Sequence, residues 1–483
     1  MNGDRPADSE YAGIVSWAVG QAIRADLDEV RRIAERNDAR AFRPGDVPLA
    51  CLAAFIEQLR GWLDLPDPAH VLLTLAAAVT RDLDGEPVWL PLVAVPSSGK
   101  TETVRLLDKR ADGRLNEVTA AGLLGWSKGK EAQPSGVLSR LADRGLVTFG
   151  DLSSLLATSD GGGRDATFGL LRRAYDGHVT RDISPPGRPA PGCNPQLSWS
   201  GRLTVVAAVT GAIDRYTVHA DQLGPRWVYT RIAEPDTAAK RRAAERARKG
   251  GLEELRDTAR KTADELVRGA ANRVPGDVPD HVFDVISEAA LVTCWGRAAV
   301  PRHGYGRREI DGLPIIESPP RVVRQLHTLA RGLLALGLPE DYTAGLARRV
   351  ALDSMPEDRR AVLAALAGGE KLTTSALARQ AGLDRKVARM RAEELEVIGV
   401  VRGDRDGPDQ DDEYDRRPVG WRLDGDDGQV IADVFTQYAA SVGWDEIMVT
   451  HSSTPQEEGY PQEDADGGFH NFVPPSAAGT GAR

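Results

Sequence analysis

LVAVPSSGKTET, residues 92–103, decides how the rest of the chain is read. An apolar run ends in a proline and two serines. Gly99-Lys100-Thr101 follows, and then the amphipathic stretch ETVRLL. A loop that holds a triphosphate needs successive main-chain N–H groups turned inward and a lysine that reaches the β- and γ-phosphates. It also needs a Ser/Thr hydroxyl for magnesium at the start of the next helix, where the dipole favours an anion. The usual spacing is GxxxxGK[ST]. Here Ala94 stands at the first glycine and Gly99-Lys100-Thr101 is intact. Ala94, Pro96, Ser97, Ser98, Gly99, Lys100, Thr101 and Glu102 are therefore the candidate nucleotide-binding residues. ATP with Mg2+ is the expected ligand, and Thr101 is a candidate metal ligand. The competing reading is a Ser/Gly turn with no ligand.

Outward from this loop, PVWLPLVAV (87–95) reads as a buried strand, a short apolar β-branched run between turn signals. Further strands are expected at 115–119, 145–149 and 203–209, and helices at 101–111, 135–143 and 165–175. Alternating strands and helices imply an α/β domain with a mainly parallel sheet, placed at 60–235. The Gly/Pro-rich SPPGRPAPGCNPQ (184–196) is expected as the tip of a β-hairpin or as an ordered loop. Residues 1–59 form a helical N-terminal region with an amphipathic stretch at 13–36, and 236–339 a helical lid or linker. A small domain is expected at 340–425, a short strand/helix segment at 426–452, and a disordered polar tail at 453–483.

Composition narrows the classes. The 483 residues carry 61 Lys+Arg against 71 Asp+Glu, a net charge of −10, which excludes a surface uniformly basic for nucleic acid but not a local basic face. The three cysteines, Cys51, Cys193 and Cys294, lie too far apart for a CxxC zinc site or a disulfide framework. The polar, acidic start does not read as a secretory signal, and VLLTLAAAVT (71–80) is about half the length of a membrane span. A cytoplasmic protein with no membrane partner is expected.

Three further features bear on chemistry. GLVTFGDL (145–152) is a strand followed by one acid, Asp151, a candidate magnesium-side ligand or water-polarising base; helix capping is its other reading. LTVVAAVT (203–210) ends at Thr210, a candidate γ-phosphate sensor. LGPRWVYTRI (223–232) carries Arg226 and Arg231, candidates to reach a transferring phosphate in cis or from a neighbouring copy; Arg321 and Arg324 are weaker candidates for that part.

These stretches, with DPAHVLLTLAAAVTRDLDGEPVW before the loop and LLRRAYDGHVTRDI between them, resemble P-loop ATPases carried by actinobacterial phages, plasmids and integrated elements. Such proteins look related to the helicase-like half of mobile-element primase-helicases. The resemblance covers 60–235 closely and continues loosely to 425. It implies a RecA/AAA-like P-loop NTPase core, with Lys100 and Thr101 on the nucleotide and Asp151 at the metal side. Ala94 and the Gly150-Asp151 pair depart from the pattern, the second where an acidic pair is usual.

Residues 359–402 read as helix, helix, turn, helix, strand, a winged helix-turn-helix pattern. Val387, Met390, Leu395 and Ile398 are expected to pack inward. Arg385, Lys386, Arg389 and Arg391 are the candidate DNA contacts at the start of the recognition helix. The acidic wing 403–418 opposes that reading, and a docking role is the alternative. The basic run at Lys240, Arg241, Arg242, Arg246, Arg248 and Lys249 reads as a solvated helix face before it reads as a nucleic-acid surface. The expected function is an ATP-driven protein acting on DNA, assembled as a homo-oligomer. An ATP-gated regulator with little turnover, or an interaction protein with a vestigial nucleotide site, are the alternatives.

Overall fold

The computed structural model describes residues 49–116, 119–128, 131–157, 161–192, 194, 196–214, 226–247, 252–273, 276–303, 309–405 and 419–452. The expected helix at 13–36, the tail from 453, most of the acidic wing, and Arg248 and Lys249 lie outside these residues.

The chain is mixed α/β, with a five-stranded parallel sheet and many helices, compatible with a Rossmann- or P-loop-type core. Its strands are β1 (Trp89–Val93), β2 (Gly113–Leu115), β3 (Arg144–Phe149), β4 (Arg202–Val209) and β5 (Thr230–Arg231). Their order across the sheet is β5-β1-β4-β3-β2, and every pairing is parallel. Almost every residue of β1, β3 and β4 is buried, because helices cover both faces and each strand reads as a continuous apolar run. The pleat still sorts the side chains. Leu90, Leu92, Leu146, Val206 and Ala208 join the larger helical core, whereas Trp89, Val93, Val147, Phe149, Val205, Ala207 and Val209 join the smaller one on the other face.

Pro91 sits in the middle of β1, where its missing N–H ought to break the ladder. The carbonyls of Trp89 and Val93 accept from Val228 and Ile232, so odd-numbered residues of β1 face β5. Pro91 faces the same side, where the assigned pairing is only two residues long, and the pairing with β4 is spared.

Helix α1 (Leu49–Arg60) and helix α2 (Ala69–Val79) precede the sheet. All of α2 is buried, including its backbone, against the long helix α8 described below. Gly332 makes that approach possible: a Cβ there would lie 2.6 Å from the Ala76 carbonyl oxygen. Leu52, Phe55, Ile56 and Leu59 of α1 lie in the same core, so the packed unit starts at α1 and not near residue 60.

Helix α3 (Lys100–Arg105) follows the quoted loop and continues as tight turns to Ala111, close to the expected 101–111. The helix expected at 135–143 does not form. Gly136 has φ 101°, outside helical space, and only a short 3-10 turn, Leu138–Arg140, follows it. The strand expected at 115–119 runs instead over Gly113–Leu115. Helix α4 (Gly161–Tyr175) leads into the expected hairpin, in which His178–Arg181 pairs antiparallel with Leu197–Ser200.

The helical layer then comprises α5 (Thr237–Ala247), α6 (Leu252–Ala271), α7 (Asp280–Gly296), α8 (Pro320–Ala335) and α9 (Glu340–Asp353). Helices α10 (Glu357–Leu366), α11 (Thr374–Ala381) and α12 (Arg385–Ile398) come next. Strands β6 (Leu372–Thr373), β7 (Val401–Arg405) and β8 (Val419–Leu423) form an antiparallel sheet in the order β6-β8-β7. The local signals set these boundaries. Thr373 caps α11 through Ala376 N–H, Gly382 ends it at φ 67°, and Asp384 caps α12 through Lys386 N–H at 2.8 Å. Helices α13 (Gly425–Ala439) and α14 (Trp444–Ser452) pack back on the body, so one apolar core runs from Cys51 to Ile447. Among the described residues no helix is long and apolar enough to cross a membrane.

The inward face of α12 matches the expected one in part: Leu395 is buried and Ile398 packs against the core, but Val387 and Met390 do not join it. Ala388, Ala392, Glu394 and Leu395 are its buried residues, while Val387, Met390 and Ile398 are only half-buried. The alanines allow close approach, and the buried Glu394 draws Arg391 inward one turn away. Arg391 also bonds Asp358 at 2.6 Å and so faces α10, not solvent. It is removed from the candidate DNA contacts; Arg385, Lys386 and Arg389 are exposed.

Candidate functional site

In an open parallel sheet, ligands bind beyond the carboxyl ends of the strands where the strand order reverses. That point here is the end of β1, which has β4 on one side and β5 on the other. The loop 94–99 leaves β1 there. Ala94 still belongs to the sheet, donating to the Val209 carbonyl at 3.1 Å. The chain then turns through Ser97 at φ 64° and Gly99 at φ 84°. Ser97 is the only non-glycine residue with positive φ among those described, a conformation that costs free energy and marks a loop held in shape by its surroundings.

Lys100 is 8 % exposed and donates from Nζ to the Val95 carbonyl at 3.1 Å, across the loop it follows. Burial lowers its pKa, and the nearby charge of Asp151 opposes that shift. The Ser98 hydroxyl is buried without a hydrogen-bond partner. Thr103 ties the start of α3 to the Gly99 carbonyl at 3.3 Å. Glu102 makes a two-point ion pair with Arg256 of α6, at 2.8 and 3.0 Å, and so links the loop to the helical layer.

Residues 97–102 form one wall of a cavity of 830 Å³. Its other walls come from the α1–α2 connection (Trp62, Leu63), from Ile232–Asp236 after β5, and from α5 and Arg256. That size suits a small organic ligand of nucleotide dimensions. The cations around it have carboxylate partners: Arg242 with Asp64 at 2.9 Å, Lys240 with Glu234 at 2.8 Å, Arg256 with Glu102, and Arg349 with Asp67. Lys100 is the exception among the described lining residues, with no carboxylate within ion-pair distance. The site thus combines one unneutralised ammonium, an orphaned hydroxyl and a strained turn.

His70, near the start of α2, also lines the cavity. Burial pushes its imidazole down to about 4, with Asp67 pulling the other way. The unfolded chain, with histidine near 6.5, therefore binds more protons between pH 6.5 and 4, and stability falls as pH drops through that window. From this residue alone a loss of about 2 kcal/mol is expected between pH 7 and pH 5. Urea unfolding at the two pH values should show it, and His70→Gln should flatten the slope; an unchanged slope in that variant would assign the acid sensitivity elsewhere.

The acid-side candidates converge beside the loop. Past Phe149 the chain stays clipped to β4 through Leu152 N–H and the Ala208 carbonyl at 2.8 Å. Asp151 is exposed and accepts from Ser153 N–H at 2.8 Å, so the capping geometry is present. Thr210 donates its N–H to Ser153 Oγ at 2.9 Å. Gly150 packs close to Asn116 at the end of β2, where a Cβ would approach Asn116 Oδ1 to 2.9 Å.

Of the arginine candidates, only Arg231 stands at this end of the sheet, opposite Val93, and its side chain is committed to other partners. Arg231 is 8 % exposed; its guanidinium grips Asp214 at 2.6 and 2.9 Å and donates to the carbonyls of Asp353 and Met355. It fastens β5 to the turn between α9 and α10. Arg226 lies five residues earlier along the same parallel edge, about 16 Å toward the opposite end of the sheet at 3.3 Å per residue. There it pairs with Asp176 at 2.8 Å and stacks over Tyr175. Arg321 and Arg324 pair with Glu317 and Glu86. The sequence reading did not single out Ser153, His70 or the Arg256–Glu102 link. Only Ser153 had a local signal, as the residue two after an aspartate at a helix start.

No protein-family model matches the chain, and no curated protein matches it.

Proposed function

We propose that the chain is a P-loop ATPase that acts on DNA, with Lys100 and the loop 97–101 on the phosphates. The observation that carries this reading is the buried Lys100, without a carboxylate partner, at the strand-order reversal and on the wall of a nucleotide-sized cavity. Loop N–H groups and the lysine would meet the phosphates, and the unpartnered Ser98 hydroxyl is a further donor facing no competitor. Among the described residues no group of three metal-ligating side chains occurs. Magnesium commonly keeps few protein ligands and relies on phosphate oxygens and water, and Thr101 and Asp151 suit that share. When bound, it supplies charge neutralisation; the chain's own part is to hold the phosphates and orient the attacking water.

The segment 357–423 supports a winged-helix reading, with Arg385, Lys386 and Arg389 exposed at the start of α12 as phosphate and base-edge contacts. The resemblance to mobile-element ATPases attaches this activity to replication or maintenance of such elements, and a homo-oligomer is the assembly it implies. The observation favouring slow turnover, and hence an ATP-gated regulator, is the single acid at 151 following a glycine.

Asp151→Asn is expected to reduce ATP hydrolysis at least tenfold while changing ATP affinity less than threefold, because a carboxylate that orients water matters in the transition state more than in binding. ATPase rates with and without single- and double-stranded DNA, beside ATP titrations, measure both. A larger loss of affinity than of rate would reassign Asp151. No affinity for ATP in the native protein would end the reading.

A further inference from the structure

We infer that Ser153 is a positioning residue that sets Asp151 and Thr210 in register for attack on the terminal phosphate. This rests on the ATPase reading above and goes beyond it in naming the residue that joins the two candidates.

Asp151 and Thr210 stand at the ends of adjacent parallel strands, 59 positions apart in sequence, and neither bonds the other directly. Ser153 bonds both. Its main-chain N–H goes to Asp151 Oδ1 at 2.8 Å, which anchors one carboxylate oxygen and survives substitution of the side chain. Its Oγ accepts the Thr210 N–H at 2.9 Å and donates to Thr210 Oγ1 at 3.2 Å. A serine hydroxyl has one proton, and with its Oγ already accepting from the Thr210 N–H the proton is available to Thr210 Oγ1. The Thr210 hydroxyl, having accepted it, keeps its own proton for an outside acceptor. Asp151 Oδ2 has no partner among the described residues, so the clamp leaves one acceptor and one donor uncommitted, with the Asp151 charge close enough to act on Lys100. An acceptor for water and a donor for a phosphate oxygen are the two functions that hydrolysis needs at this place. The Leu152 N–H to the Ala208 carbonyl joins the two segments through the main chain, but the Thr210 N–H has no main-chain partner within the sheet, because the pairing of β4 with β3 ends at Ala207 opposite Phe149.

The test uses the full chain. Ser153→Ala should lower kcat about tenfold with ATP affinity changed less than twofold, the pattern of lost orientation rather than lost binding. Ser153→Thr, which keeps the hydroxyl, should restore most of the rate. Ser153→Ala/Thr210→Ala should be no slower than Thr210→Ala alone, because the two act as one unit. A native rate in Ser153→Ala, additive losses in the double variant, or failure of Ser153→Thr to recover with its fold intact by circular dichroism would each overturn the assignment. A native protein that neither binds nor hydrolyses ATP would overturn the ATPase reading itself, and this inference with it. An active native protein with an unaffected Ser153→Ala would overturn this inference alone.

Discussion

Lys100→Ala is expected to weaken ATP binding by about 100-fold and to reduce hydrolysis to background. A charge-assisted hydrogen bond to phosphate contributes about 1.5–3 kcal/mol, and loss of a donor aimed at developing charge costs about 100- to 1,000-fold in rate. The fold should survive. Lys100 makes one hydrogen bond, to Val95, and no ion pair, so its removal strands no buried carboxylate. Titration with ATP, beside circular dichroism and thermal unfolding, separates these effects. Native turnover in the variant would refute the site. A collapse of the fold would instead mean that the ammonium holds the loop as structure, with the Val95 contact as its purpose.

The largest stability effect is expected far from that loop, at Glu394. This carboxylate is 2 % exposed and receives Arg359 at 2.9 and 3.0 Å, Arg302 at 2.9 Å and Arg391 at 2.9 Å. Burial would raise its pKa, but Arg359 and Arg391 hold it below the usual glutamate range. Arg359 is itself 0 % exposed and donates also to the carbonyls of Gly296 and Ala298 at the end of α7. Glu394→Ala leaves a buried guanidinium without its ion-pair partner, which costs about 3–5 kcal/mol. Urea unfolding followed by circular dichroism should show that loss. Glu394→Gln, which keeps two hydrogen-bond acceptor sites and the volume, should cost less. A loss under 1 kcal/mol in Glu394→Ala would mean that water reaches Arg359.

The two variants also mark where sequence was legible and where it was not. The loop at 94–101 was readable because all its cues are local: a buried strand, a Gly-Lys-Thr and a following helix. The caps at Thr373, Gly382 and Asp384 were readable for the same reason, and they placed α11 and α12 to within a residue or two. The order of strands was not legible, since pairing between β1 and β4 joins residues more than a hundred positions apart. Arg231 illustrates the cost. Its residue type and its place in the strand-like LGPRWVYTRI suggested chemistry, but its partners, Asp214 and the carbonyls of Asp353 and Met355, come from other segments. Arg391 failed in the same manner: helical spacing gives which residues share a face, not which face is drawn inward by a buried acid elsewhere in the fold. The helix expected at 135–143 failed for a local reason, a backbone angle at Gly136 that only glycine tolerates readily.

The two borders of the central sheet are its shortest strands, β5 with two residues and β2 with three. A ribbon border that brief offers a stray peptide almost no run of unpaired amides to zip onto, which is how natural sheets resist fibril-like growth. Continuing the central sheet from molecule to molecule therefore gives copies of this chain little to build on, and an assembly along that sheet needs side-chain contacts, which respond to salt and point substitution.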